Sequence, residues 1–146
     1  MCQIYFVNLF WNVKSILPIG CTVVAKCLDC SKQFELDQGG GFIFHLVRCD
    51  LCGRPKSIGF DELGDLHLRY MKELSDPDYG PDSKSDNYIQ KHAPLEPISE
   101  DEYYAGVEAF AGKCKCGEKY TFDAPPRCPE CHSIRIEEGG ITVFYD

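Results

Sequence analysis

Two short stretches, Cys27-Leu28-Asp29-Cys30 and Cys49-Asp50-Leu51-Cys52, decide how the first half of this chain folds. In each, two residues separate two cysteines, so a tight turn can place both thiols on one metal ion. We call such a turn a knuckle. The 18 residues between the two knuckles lie within the spacing of four-cysteine zinc sites. The spacing therefore predicts that Cys27, Cys30, Cys49 and Cys52 bind one ion.

The second half of the chain repeats the pattern with Cys114-Lys115-Cys116 and Cys128-Pro129-Glu130-Cys131. Eleven residues separate these pairs, and the first pair is one residue shorter than a standard knuckle. The shorter turn still allows two thiolates on one ion. We therefore expect a second site formed by Cys114, Cys116, Cys128 and Cys131. Each site has four thiolates, which fills the tetrahedron and is typical of structural zinc, because catalytic zinc keeps one position open for water.

Ten cysteines in 146 residues are many for a chain of this size. Such a content indicates either a disulfide scaffold or a metal scaffold, and the repeated Cys-x2-Cys spacing favours metal. We expect two Zn²⁺ ions, with iron as the alternative at one or both sites, because four thiolates suit either metal. Free thiols that bind metal also indicate a reducing compartment, so we expect a cytoplasmic protein.

The charge of the chain is concentrated in its middle. The formal net charge is -8, and residues 61–110 hold 13 acidic and 4 basic residues. The two cysteine-bearing regions are close to neutral. Nucleic-acid binding normally requires a basic face, so this composition does not favour it. The one basic cluster, Arg48, Arg54 and Lys56, flanks the second knuckle and is the candidate nucleic-acid contact.

The fold class that we predict is a small, metal-stabilised α+β protein. Apolar periodicity over 61–74, with Asp61 as N-cap, predicts one helix, and the capping box Ser99-Glu100-Asp101-Glu102 predicts the start of another. Gly139-Gly140 is expected to be the turn of a terminal hairpin. The predicted order is an apolar extension at 1–22 that can be an over-extended start, a metal module at 23–60, a helix at 61–74, an acidic flexible linker at 75–98, a helix at 99–112 and a second module at 113–146.

The knuckles Cys49-Asp50-Leu51-Cys52-Gly53 and Cys128-Pro129-Glu130-Cys131 resemble those of the zinc-ribbon, or rubredoxin-like, family. The resemblance covers residues 26–60 and 113–146, and the chain is similar to small prokaryotic proteins with tandem ribbons. It implies short antiparallel hairpins around two zinc ions. The family usually has glycine directly after a knuckle, whereas this chain has Ser31 and His132 at two of those positions.

The sequence contains no P-loop, dinucleotide fingerprint or nucleophile motif. We therefore expect no enzyme, no membrane association and a structural zinc protein that acts as a binding module or adaptor for a protein partner. One alternative is a zinc ribbon that binds nucleic acid or the transcription machinery. The other is an iron protein that transfers electrons, as the rubredoxin resemblance implies. The four histidines, His45, His67, His92 and His132, are expected to be structural or solvated.

Overall fold

The computed structural model describes residues 20–41, 43–73 and 94–145. Within these ranges the chain forms two antiparallel three-stranded sheets and three helices, which is a small α+β fold as predicted. The strands are β1 (Gly20–Cys27), β2 (Gln33–Gln38), β3 (Phe44–Cys49), β4 (Pro55–Gly59), β5 (Tyr120–Thr121) and β6 (Ile136–Tyr145). The helices are α1 (Phe60–Leu63), α2 (Asp65–Glu73) and α3 (Glu100–Ala111).

Each sheet combines strands from both ends of the chain. Sheet A has the order β2-β1-β6, and sheet B has the order β4-β3-β5. The predicted arrangement of two ribbons in succession, over 23–60 and 113–146, does not match this pairing. The C-terminal strand β6 pairs with β1 along its length, and β5 pairs with the end of β3 through Cys49 and Tyr120. The two halves are therefore interleaved.

Strand β6 runs straight through the glycines that were expected to form a hairpin turn. Val23 pairs with Ile141 and Ala25 pairs with Glu138, so Gly139 and Gly140 together lie opposite the single residue Val24. This is a β-bulge, which glycine favours because the backbones approach closely. A side chain at Gly139 would lie 3.1 Å from the carbonyl oxygen of Val24. The pairing partner offered by β1 keeps the segment extended.

The helix predicted over 61–74 is two helices, because the chain turns at Gly64 with φ of 52°. The N-cap is Gly59 rather than Asp61: the Gly59 N–H donates a hydrogen bond to Glu62 Oε2 at 2.7 Å. Helix α3 begins as predicted, with Ser99 and Glu102 forming a reciprocal capping box. Among the described residues, no helix combines the length and apolarity that a membrane span requires.

Residues 94–98, the end of the predicted flexible linker, lie against α2. The Arg69 side chain donates to the Glu96 carbonyl at 2.8 Å, the Lys72 ammonium donates to the Leu95 carbonyl at 3.0 Å, and Ile98 is buried. The boundary predicted at residue 22 falls inside β1, where Cys21 is fully buried. The predictions for residues 1–19 and 75–93, including His92, lie outside the described residues.

The larger core packs sheet B against the helices around the fully buried Tyr103 of α3. Its hydroxyl lies 2.7 Å from His45 Nε2 and 2.8 Å from His67 Nδ1. A hydroxyl can donate one hydrogen bond and accept another, so Tyr103 can satisfy both rings. Burial, together with the charge of His67, lowers the pKa of His45 to about 4. Both histidines are half-buried and contact a core residue, which agrees with the structural one of the two roles expected for them.

Candidate metal centres

The eight paired cysteines form two clusters of four in the structure. Centre A and centre B are the names that we give to them. Centre A consists of Cys27, Cys30, Cys128 and Cys131. Centre B consists of Cys49, Cys52, Cys114 and Cys116.

The geometry of both clusters suits a metal ion. Within each cluster the four sulfur atoms lie within 4.8 Å of one another, and the closest pairs are 3.3–3.6 Å apart. These separations are much longer than the roughly 2.05 Å of a disulfide bond. They are close to the roughly 3.8 Å edge of a tetrahedron with Zn–S bonds of about 2.3 Å. The four thiols of each centre can therefore surround one ion.

The partition of the cysteines differs from the one that spacing predicted, and that prediction was wrong. Each centre takes one knuckle from the first half of the chain and one from the second. The pairing of Cys49 with Tyr120 brings the knuckle 49–52 beside the knuckle 114–116. The pairing of Cys27 with Ile136 brings the end of β1 beside the segment that follows the knuckle 128–131.

The entropy of loop closure is too weak to require that two knuckles close in sequence share one ion. Cys30 and Cys49 are separated by 18 residues, whereas Cys30 and Cys128 are separated by 97. For a flexible chain, the longer closure costs only about 1.5 kcal/mol more. Structural zinc binding contributes roughly 10–16 kcal/mol in zinc-finger peptides. Strand pairing therefore decides which knuckles meet.

All four knuckles have the same backbone turn, in which the residue after the second cysteine has a positive φ. Gly53 and Gly117 have φ of 72° and 95°, and Ser31 and His132 keep the turn with φ of 62° and 60°. A residue with a side chain pays roughly 1–2 kcal/mol for this conformation. The two departures from the glycine pattern therefore cost some stability but do not change the knuckle geometry.

In the short knuckle Cys114-Lys115-Cys116, the hydrogen bond that closes the turn spans one residue fewer than in the other knuckles. In the other knuckles the N–H four residues after the first cysteine donates to that cysteine's carbonyl, as Gly53 does to Cys49 at 2.9 Å. Here the donor is the N–H three residues on, because Gly117 donates to Cys114 at 2.9 Å. The missing residue is thus absorbed without loss of the ligand pair.

The first cysteine of every knuckle is buried, and the second is more exposed. Backbone N–H groups point at the buried sulfurs. The N–H of Cys30 lowers the pKa of Cys27 to about 7, and the N–H of Cys116, with the Tyr120 hydroxyl, lowers the pKa of Cys114 to about 6. Each centre therefore has one thiol that ionises near neutral pH, which favours metal binding, and acid should weaken that binding.

Tyr120 is a supporting residue that the sequence interpretation missed. Tyr120 lies four positions after the knuckle 114–116, as Phe34 lies four positions after the knuckle 27–30, and this spacing does not indicate a contact with a thiol. The Tyr120 hydroxyl interacts with the sulfur of Cys114, and this interaction raises the pKa of Tyr120 itself to about 12. Centre A has phenylalanine at the equivalent position. The hydroxyl therefore supports centre B specifically.

We expect Tyr120→Phe to weaken metal binding at centre B about tenfold and to leave centre A unchanged. Groups that hydrogen-bond to metal ligands typically contribute about 10–100-fold to affinity. Cadmium-113 NMR, with one resonance for each centre, combined with chelator competition would measure both affinities. Tyr104→Phe is the matched control, because it removes a half-buried hydroxyl that interacts with Glu100 and Tyr70 rather than with a cysteine. An unchanged affinity at centre B would show that the hydroxyl does not act on Cys114.

Arg127 connects the two centres. Its Nε donates to the Asp50 carbonyl, in a centre B knuckle, and its Nη1 donates to the His132 carbonyl, beside a centre A knuckle, each at 3.2 Å. A side chain at Gly53 would lie 2.5 Å from Arg127 Cβ. The knuckle 49–52 therefore packs directly against the segment that begins the knuckle 128–131.

The predicted basic cluster is divided by the structure. The Lys56 ammonium donates to the Ala111 carbonyl at the end of α3, at 2.8 Å, and lies over the Tyr120 ring. Arg48 donates to the Asp37 carbonyl. Arg54 is exposed and shares a groove with Arg48 and Arg127. His132 is exposed, and neither cluster of four metal-binding side chains includes it.

Comparison with known proteins gives one match. No curated protein and no solved structure matches the chain. One family model matches residues 23–137, a range that begins in β1, ends in β6 and contains all eight cysteines of the two centres. The chain therefore belongs to the family described as a domain of unknown function, DUF8255.

Proposed function

We propose that the protein is a non-catalytic zinc-binding module in which two structural zinc ions of zinc-ribbon type hold the two halves of the chain together. The observation that supports this best is the composition of the centres. Each brings four cysteine sulfurs together within 4.8 Å, so an ion there has all of its positions filled by the protein. A catalytic zinc would need a position open for water.

Zinc would supply much of the stability of sheet A. Among the residues that the structure describes, the buried cluster on that sheet consists of Cys21, Val23, Ala25 and Leu36. A core of that size provides little hydrophobic stabilisation, so small domains usually add metals or disulfides. Centre A closes the same region, where the ends of β1 and β6 meet. In this proposal the ions are part of the scaffold, and a partner would bind the surface of the protein rather than the metal.

The knuckle tips are the surfaces that favour a protein partner. Leu28 in centre A and Leu51 in centre B are 51% and 57% exposed, although both are large apolar residues. The metal-bound turn would hold each side chain in place, which lowers the entropy cost of binding. We propose that the module acts as an adaptor that contacts a protein through these tips, in a reducing compartment such as the cytoplasm, which keeps the eight cysteines of the two centres as thiols.

The metal content of the native protein tests the proposal. Protein purified anaerobically from a cell supplied with both metals is expected to contain two zinc ions per chain and to be colourless. Removing zinc with a chelator is expected to unfold sheet A, as measured by amide hydrogen exchange. Iron in both centres, with visible absorbance, would contradict the structural-zinc proposal and would favour rubredoxin-like electron transfer instead.

A further inference from the structure

A groove lies between the two centres and is lined by Cys52 of centre B and by Pro129 and His132 from the centre A knuckle 128–131 and the residue after it. Its cavity has a volume of about 220 Å³. Elements of both sheets contribute, since the lining includes residues of β2 and β3 as well as residues in or beside the knuckles 49–52 and 128–131. The lining side chains that matter for charge and shape are Phe34, Leu36, Arg48, Arg54, Arg127 and Pro129.

Two of the three guanidinium groups in the groove are held in place. Arg127 is fixed by its bonds to the Asp50 and His132 carbonyls, which use two of the five N–H donors of its guanidinium. Arg48 is fixed by its bond to the Asp37 carbonyl. Arg54 is exposed and lines the same cavity. A fixed guanidinium loses less entropy when it binds an anion, because its fork is already oriented.

Two carboxylates also line the groove and must be counted against an anion. Asp37 accepts a hydrogen bond from Thr22 Oγ1 at 2.7 Å and belongs to the same strand that anchors Arg48. Glu35 is exposed. With Arg48 set against Asp37, the groove retains Arg54 and Arg127 against Glu35. The charged side chains that line the groove therefore leave one net positive charge, beside two centres that each carry -2 when four thiolates hold one Zn²⁺.

We propose that this groove binds a phosphate monoester carried on a small organic group. Guanidinium groups bind phosphate through paired, charge-assisted hydrogen bonds. The phosphate would contact Arg54 and Arg127, and the organic group would lie against Phe34, Leu36 and Pro129. The inference rests on the proposed function, because zinc at both centres holds the two walls of the groove together.

The size of the cavity limits the ligand. Sites for drug-sized ligands are roughly 300–1,000 Å³, so about 220 Å³ fits a phosphate with part of a small organic group. A free nucleoside monophosphate and the 5′-phosphorylated end of a nucleic acid strand offer the same chemistry. The experiment therefore includes both sources.

Isothermal titration calorimetry on the full chain, with two zinc ions per chain verified in the same sample, tests the proposal. The probes are inorganic phosphate, AMP, and a short oligonucleotide with and without a 5′-phosphate. We expect AMP or the phosphorylated strand to bind, and Arg54→Met to weaken that binding about tenfold, since each charge-assisted bond is worth about that factor. Lys26→Met, which removes an exposed cation outside the groove, is expected to have no effect.

Glu35→Gln gives a second, independent readout. Removing the opposing carboxylate is expected to strengthen binding several-fold. Binding of AMP but not of the phosphorylated strand would identify a free nucleotide as the source, and the reverse would identify a nucleic acid end. If zinc-loaded protein binds none of the probes at millimolar concentration, or if Arg54→Met and Lys26→Met behave alike, the inference is overturned while the zinc module stands. Loss of zinc from the sample would instead contradict the proposed function.

Discussion

The double substitution Cys30→Ser with Cys128→Ser is expected to remove one of the two metal ions and to leave the other in place. Both cysteines belong to centre A, where their sulfurs lie 3.5 Å apart. Centre B keeps all four of its thiols in this variant. Zinc content measured by mass spectrometry, together with the number of cadmium-113 resonances, would report the loss.

The matched control is Cys30→Ser with Cys49→Ser, which removes one thiol from each centre and is expected to lose both ions. The two variants make the same number of substitutions of the same type, so unspecific damage affects them alike. Ions bound by neighbouring knuckles would give the opposite result, with two ions lost in the first variant and one in the second. That reversal would contradict the interleaved arrangement.

The loss of centre A should also destabilise sheet A selectively. Its buried cluster is small, and its strands β1 and β6 come from opposite ends of the described chain. Without the metal, this long-range pairing loses a contribution that is roughly 10–16 kcal/mol in zinc-finger peptides. Amide exchange is expected to become fast in β1 and β6. Sheet B has the larger core and keeps centre B, so its exchange should change less.

Gly53→Ala is expected to reduce the free energy of unfolding by about 2–5 kcal/mol. The left-handed φ of 72° costs an alanine roughly 1–2 kcal/mol. The added methyl group would also lie 2.5 Å from Arg127 Cβ and 3.0 Å from its backbone nitrogen, and overpacking of this kind costs roughly 1–3 kcal/mol. Urea denaturation of the zinc-loaded protein would measure the loss.

Gly117→Ala separates the two contributions. Gly117 occupies the equivalent position of another knuckle with φ of 95°, and a side chain there would meet nothing within 4 Å. It is expected to pay only the conformational cost of roughly 1–2 kcal/mol. Equal losses for the two glycines would show that the knuckle 49–52 does not press against Arg127. The contact between the centres would then need another explanation.

Several local features follow from the sequence alone. The Cys-x-Cys and Cys-x2-Cys spacings identified the eight thiols that the structure gathers into clusters. The capping box at Ser99 and Glu102 placed the start of α3. The glycine directly after the knuckle 49–52, Gly53, is the residue type that suits the left-handed backbone found there. These features depend on residues within a few positions of one another, so the local pattern is sufficient to predict them.

Features that join distant residues could not be predicted in this way. The bulge at Gly139 and Gly140 depends on β1 as a partner more than 100 residues away, and without that partner two glycines indicate a turn. The bond from Tyr103 to His45 and His67 joins three separate elements. The contacts of Arg127 could not be predicted from nearby residues, because its side chain donates to two carbonyls, those of Asp50 and His132, that come together only in the folded chain.

The four knuckles, with enough thiols for two four-cysteine centres, can be identified from the spacing of the cysteines. Which knuckles share a centre depends on the folded chain, because all four knuckles offer the same ligand type and the entropy of loop closure favours the nearer knuckle over the more distant one by only about 1.5 kcal/mol. The pairing of β1 with β6 and of β3 with β5 decides between them, and it places the groove with Arg54 and Arg127 between the two centres.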